Sequence, residues 1–295
     1  MDPIQIDQLS KRYGQTTALA GFCATIPAGS ITVVFGPSGS GKTTLLRILA
    51  GLEQPEEGTV QGIPESVKMT FQDGKLLPHA TVLHNVMYGL DARRWSRQVR
   101  EQKARQAMEL CGCPPENQVA GTLSGGQRQR AALARAIVSR PDLLLLDESF
   151  SSLDQASRKE LQTVLLRLQA RLHMTVVFVT HDPQEALRLA DTLILLKNGT
   201  CAGCHDRDTM QEALAAESGE GQDPDHEGKG LPCVRVLPYG EAGRSSAAKK
   251  EHEPACSSLL YDLLLTAAME MRQSGRDRPG GYSPASCARI CLTAL

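Results

Sequence analysis

Two runs of this sequence carry groups suited to phosphate chemistry. The run Gly36-Pro37-Ser38-Gly39-Ser40-Gly41-Lys42-Thr43 follows an apolar, strand-like stretch, Ile31 to Phe35, and opens a helical pattern at Lys42. Glycines at this spacing let main-chain N–H groups turn inward around phosphate oxygens, and the helix that follows points its positive end at them. Lys42 reaches the outer phosphates and Thr43 supplies a hydroxyl to Mg²⁺, so ATP or GTP is the expected ligand, held from Gly36 through Thr44. The second run, Leu143-Leu144-Leu145-Leu146-Asp147-Glu148, is an apolar strand that ends in two carboxylates. Successive side chains of a strand diverge, so Asp147 is placed to face Mg²⁺ while Glu148 faces the attacking water.

Those residues need a scaffold that brings strand ends to one edge. The first two thirds of the chain alternates short aliphatic runs with helical patterns, the signature of a mostly parallel sheet covered by helices. Strands are expected at Ile31 to Phe35, Leu143 to Asp147, Thr175 to Thr180 and Leu193 to Lys197. Helices are expected at Lys42 to Ala50, Arg97 to Leu110, Gly125 to Ser139 and Arg158 to Leu172. Open α/β sheets bind ligands beyond the carboxyl ends of their strands, where both runs fall. Together they specify an α/β P-loop NTPase.

A third run narrows the class. Leu123-Ser124-Gly125-Gly126-Gln127-Arg128-Gln129-Arg130, just ahead of a helical pattern and upstream of the acidic strand, resembles the signature of ABC ATPases. The resemblance extends in order over about Ile4 to Met210. It implies the fold of that family: a mostly parallel sheet, an antiparallel β-subdomain and a helical signature subdomain. It also implies that Tyr13 stacks on adenine and that Gln72 meets Mg²⁺ and takes part in catalysis. Asp154 corresponds to the aspartate beside the nucleotide in the family, and His181 to the switch histidine that joins Lys42 and Glu148 in catalysis. Ser124, Gly125, Gly126 and Gln127 then form an anion site at a helix start that closes on the nucleotide of an opposite subunit, so a second copy of the chain is an expected partner. Ser149 stands where the family commonly has proline, which leaves the turn less stiff with every chemical group kept.

The run Gln72 to Val82, with Asn85-Val86, resembles importer ATPases of the nitrate, sulfonate and taurine group. That resemblance implies integral membrane permease subunits as partners, an extracytoplasmic solute-binding protein acting indirectly, and a place at the cytoplasmic face of the cell membrane. Leu76 to Tyr88 would then be the socket for a permease coupling helix, and the short Lys42 to Gln72 spacing leaves room for only a short hairpin. A soluble, non-transport ABC ATPase of DNA repair or translation is the alternative, disfavoured because neither long coiled coils nor a second ATPase copy is present.

Composition agrees with these assignments. A formal charge of −1 and 4% aromatic residues give no basic surface for nucleic acid. The longest aliphatic runs fall far short of the roughly 20 residues that cross a bilayer. The start of the chain lacks the basic and apolar blocks of an export signal, so a cytosolic setting is expected, with the nine cysteines as free thiols. Cys201-Ala202-Gly203-Cys204-His205 has the form of a haem-attachment motif, read as coincidence because it follows the turn-like Asn198-Gly199. The expected domains are an ATP-binding domain over 1–215 (helical subdomain about 73–140), a polar linker over 216–255, and an extension over 256–295 with an amphipathic helix.

Overall fold

The computed structural model describes residues 2–71 and 74–219. In chain order the elements are β1 (Ile4–Tyr13), β2 (Thr16–Ile26), β3 (Ile31–Phe35), α1 (Lys42–Leu49), β4 (Glu57–Gln61), β5 (Val67–Thr70), α2 (Val82–Met87), α3 (Arg97–Cys111) and α4 (Gly125–Ile137). They continue with β6 (Leu143–Asp147), α5 (Gln155–Leu172), β7 (Thr175–Thr180), α6 (Pro183–Leu189), β8 (Thr192–Lys197), β9 (Thr200–Asp206) and α7 (Met210–Gly219).

The larger sheet has the order β5-β6-β7-β3-β8-β9, parallel except for β9, which returns antiparallel to β8. The smaller sheet, β2-β1-β4, is antiparallel. The near-continuous aliphatic character of β3, β6, β7 and β8 follows from burial on both faces. Leu144, Leu146, Val176, Phe178, Leu193 and Leu195 point into a core shared with α2 to α6. Their neighbours Leu143, Leu145, Val177, Val179, Ile194 and Leu196 point the other way, onto α1 and the smaller sheet. The chain therefore has an α/β architecture with a mixed sheet and a separate antiparallel sheet, as the resemblance implies.

Three expectations change. No short hairpin fills the stretch between Lys42 and Gln72: β4 pairs with β1 and β5 pairs in parallel with β6. Val60 and Met69 pack on the same core from these two sheets, a burial that a free-standing hairpin would lack. Helix α5 starts at Gln155 rather than Arg158, because the Asp154 carboxylate accepts the Ser157 N–H at 3.0 Å and caps it. Residues 216–219, the first of the expected linker, continue α7. The rest of that linker and the expected helix over 256–295 lie outside the described residues.

Asn198-Gly199 forms the two-residue turn between Lys197 and Thr200, as its sequence suggests.

Candidate nucleotide site

The phosphate loop is shaped by two close approaches. A Cβ on Gly36 would sit 2.1 Å from the Leu196 carbonyl oxygen, and one on Gly41 2.2 Å from that of Ala18, where φ is also +106°. Glycine is the residue that lets β3, β8 and β2 crowd this turn. Gly41 is the N-cap of α1 with no side chain satisfying the first N–H groups, which leaves them to an anion. Ser38 and Gly39 are exposed at the tip, while Ser40 is buried and its Oγ has no hydrogen-bond partner among the described residues. An orphaned hydroxyl inside a loop of inward N–H groups fits a phosphate oxygen as its partner.

Lys42 is folded back into this loop. Its ammonium donates to the carbonyls of Gly36 (2.8 Å) and Pro37 (2.7 Å) and lies 3.8 Å from Glu148 Oε1. Burial pushes its pKa down, with Glu148 and Asp147 opposing that shift. The Thr43 hydroxyl donates to Asp147 Oδ1 at 3.1 Å. Burial raises the Asp147 pKa, the Thr43 hydrogen bond counters it, and the neighbouring Glu148 adds to the rise. Two hard oxygens held together beside a phosphate cradle suit Mg²⁺.

Glu148 occupies the left-handed region at φ +43°, sparsely populated for a residue with a side chain. Its N–H donates to the Val179 carbonyl, and its own carbonyl accepts from both the N–H and the hydroxyl of Ser151. In this pose the carboxylate faces Lys42 on one side and His181 Nδ1, 3.5 Å away, on the other. His181 is half exposed, at the end of β7 beside the strand that carries Glu148. The predicted residues Lys42, Thr43, Asp147, Glu148 and His181 thus converge on one edge of the large sheet. Thr44 is buried one position further along α1.

Tyr13 ends β1, 44% exposed, with its hydroxyl hydrogen-bonded to Glu53. Burial and that carboxylate raise its pKa. Gln72 lies outside the described residues. Ser124 caps α4 in a reciprocal box: its hydroxyl accepts from the Gln127 N–H at 3.3 Å, and Gln127 Oε1 accepts from the Ser124 N–H at 3.0 Å. The Ser124 hydroxyl is therefore already an acceptor within its own helix, with its proton left to donate. Gly125 and Gly126 lie close against Leu153 and Ser157, so the start of α4 packs on the start of α5. Among the described residues, no hydrogen bond or ion pair joins Ser124 to Gln127, or Asp154, to Lys42, Thr43, Asp147 or Glu148.

The structure adds residues that the sequence reading passed over. The Arg158 guanidinium binds Asp182 at 3.0 Å, lies 3.7 Å from the buried Glu185, and donates to the carbonyls of Ser151 and Leu153. Glu185 also accepts from Thr180 and Gln162, so the loops after β6 and β7 are tied together behind Glu148 and His181. The available signal was a charge inside each amphipathic pattern, Arg158 four positions after Asp154 and Glu185 four after His181. Ser149 is fully buried and shares a 2.8 Å hydrogen bond with the equally buried Thr70, at the end of β5. Where a proline would stiffen the turn by its ring, this side-chain bond ties it to the neighbouring strand.

The expected socket over Leu76 to Tyr88 is corrected in its chemistry. Val82, Leu83, Val86 and Met87 are core residues, whereas Leu77 and Tyr88 are exposed. Asn85, wholly buried, instead holds the preceding loop by accepting the Leu77 N–H and donating to the carbonyls of Leu77 and Thr81. Beside that loop lies a cavity of about 320 Å³ lined by Lys75, Leu76, Pro78, Ala120, Gly121 and Arg128.

Comparison with known proteins agrees with this geometry. Residues 19–151 match the family described as ABC transporter. The Fe(3+) ions import ATP-binding protein FbpC of Brucella abortus is 40% identical over 224 residues, covering 72% of this chain and 64% of that protein. The sulfate/thiosulfate import ATP-binding protein CysA of Synechococcus elongatus is 40% identical over 207 residues, covering 66% and 60%. This chain thus spans somewhat under two thirds of the length of these relatives. A bacterial ABC transporter cassette solved as a dimer superposes with a TM-score of 0.63 at 28% identity, covering 69% of this chain and 98% of that one. A nucleotide-free cassette at 23% identity, with a TM-score of 0.65, shares the fold.

Proposed function

We propose, from the premise that this chain carries an ABC-type ATP-binding cassette, that it binds and hydrolyses ATP to energise solute import through separate permease subunits. The observation that supports this most directly is Glu148, set between Lys42 and His181 beside the Thr43–Asp147 pair. In that pose the Glu148 carboxylate accepts a proton from an attacking water, and His181 is in reach to orient the γ-phosphate. Lys42 exchanges its two carbonyl partners for phosphate oxygens. Thr43 and Asp147, with Gln72, would hold Mg²⁺, which supplies charge that offsets the phosphates. Tyr13 offers its exposed ring to adenine.

The anion site at Ser124 to Gln127 and the cap at Asp154 serve the nucleotide of a second copy, so hydrolysis belongs to a pair of chains. The relatives named for Fe(3+) and for sulfate/thiosulfate import support a permease partner at the cytoplasmic face of a membrane. No helix among the described residues is long and apolar enough to cross one. Leu77, Tyr88 and the cavity beside Leu76 and Pro78 form the surface we assign to the permease. For the solute, the Gln72 to Val86 run supports a small anion of the nitrate, sulfonate or taurine type.

The test is purification of tagged Glu148→Gln chain with ATP in mild detergent. The expected outcome is a multi-helix membrane protein at equal stoichiometry. Exclusively soluble partners would sink the import reading while leaving the ATPase intact.

A further inference from the structure

The Cys201-Ala202-Gly203-Cys204 run is not used by the ATP chemistry, yet the fold gives it a specific geometry. Residues three apart on a regular strand face opposite sides. In β9 the pairing runs from Leu195↔Gly203 to Leu196↔Cys201, leaving Ala202 as an extra, unpaired residue in a bulge. That extra residue turns the two cysteines toward each other, and their sulfurs lie 3.6 Å apart. Cys204 is exposed and Cys201 half-buried, so the pair is open to small solutes.

The other described thiols lack these properties. Burial pushes the Cys111 thiol well above its ordinary range and that of Cys113 up to about 12. Cys23 accepts from the N–H and the side-chain amide of Gln8. The Cys201 thiol, hydrogen-bonded by Cys204, is shifted toward the reactive thiolate.

The hairpin that carries the pair is built into the phosphate loop. Leu196, opposite Cys201, places its carbonyl oxygen against Gly36. The Gly199 N–H donates to the Ser40 carbonyl at 3.1 Å, and the Gly199 carbonyl accepts from the Ala20 N–H at 2.9 Å. A disulfide would bring these sulfurs closer than their present 3.6 Å, and Cys201 lies opposite Leu196 and two positions after Gly199, the residues that brace the loop.

We propose that Cys201 and Cys204 form a peroxide-reactive dithiol whose closure to a disulfide weakens ATP binding at the adjoining phosphate loop. The Cys201 thiolate attacks one peroxide oxygen and the O–O bond breaks, giving a sulfenic acid and, after protonation, water. Cys204 sulfur then displaces the sulfenic oxygen, forming the S–S bond and releasing a second water, so two thiols are oxidised and one peroxide is reduced. A dithiol reductant reverses the step. The coupling to ATP rests on the nucleotide reading above; the dithiol does not.

The test treats the full chain with hydrogen peroxide, alkylates the remaining thiols, and maps peptides alongside ATP affinity by equilibrium dialysis. The expected result is the tryptic peptide 198–207 recovered two hydrogens lighter and unalkylated, with ATP affinity lowered at least about 5-fold. Both changes should be reversed by dithiothreitol and absent from Cys204→Ser. Alkylation of both cysteines under conditions that consume Cys23 overturns the dithiol. A mapped disulfide with unchanged ATP affinity overturns its link to the loop. Reduced protein that binds no ATP contradicts the nucleotide reading and with it the link, while the peptide map still decides the dithiol.

Discussion

Glu148 and Asp147 are neighbours on one strand end, yet their surroundings differ. Glu148 is held in a left-handed backbone pose with its carboxylate between two basic side chains. Replacing it by glutamine keeps the shape and removes the base that we propose, so kcat should fall by about 10²-fold or more with ATP binding preserved, as read from phosphate release and nucleotide titration. Asp147 is different, because burial raises its pKa in the nucleotide-free fold. A raised folded pKa means that the folded chain holds this proton more tightly than the unfolded chain. The group therefore favours the fold below its unfolded pKa, and that contribution is lost as pH rises through the folded value. Nucleotide-free Asp147→Asn should accordingly be more stable than the parent at neutral pH, with the gap closing on acidification, and should lose Mg²⁺-dependent hydrolysis. Denaturant midpoints across pH check the sign. An equal gap at every pH would mean that ionisation of Asp147 carries no strain.

At the scale of elements, the turn after β6 is held by side chains rather than by ring constraint. Thr70→Val leaves the buried Ser149 hydroxyl without its partner and should cost about 1–3 kcal/mol, whereas Thr70→Val with Ser149→Ala removes both polar groups and should recover much of that loss. Urea unfolding of the two singles and the double measures it, and additive losses would exclude a coupled pair. This bond marks a boundary of what the sequence discloses. The phosphate loop, the acidic strand and the capped starts of α3 and α4 were legible because each depends on local spacing, and β3, β6, β7 and β8 because burial on both faces leaves unbroken aliphatic runs. Long-range partners were not legible. Thr70 and Ser149 are 79 positions apart, and Arg158 meets Glu185 across two loops, so neither pairing leaves a periodic trace. The apolar run around Val82 to Met87 reads the same whether it fills a core or lines a docking surface, and the structure places it in the core.

For the whole molecule, one chain holds a candidate phosphate cradle on its sheet edge and a capped, glycine-lined helix start at Ser124 that, among the described residues, makes no hydrogen bond or ion pair with that cradle. Such a division is economical if two chains face each other, each closing the other's site, and it makes association depend on nucleotide. The most direct measurement is sedimentation of Glu148→Gln chain with and without ATP and Mg²⁺, with bound nucleotide quantified in each species. The account predicts a single-chain mass without ATP, twice that mass with ATP at one nucleotide per chain, and return to the smaller mass on chelation of Mg²⁺. A chain that stays single with ATP fully bound would contradict the shared site and return catalysis to one chain alone.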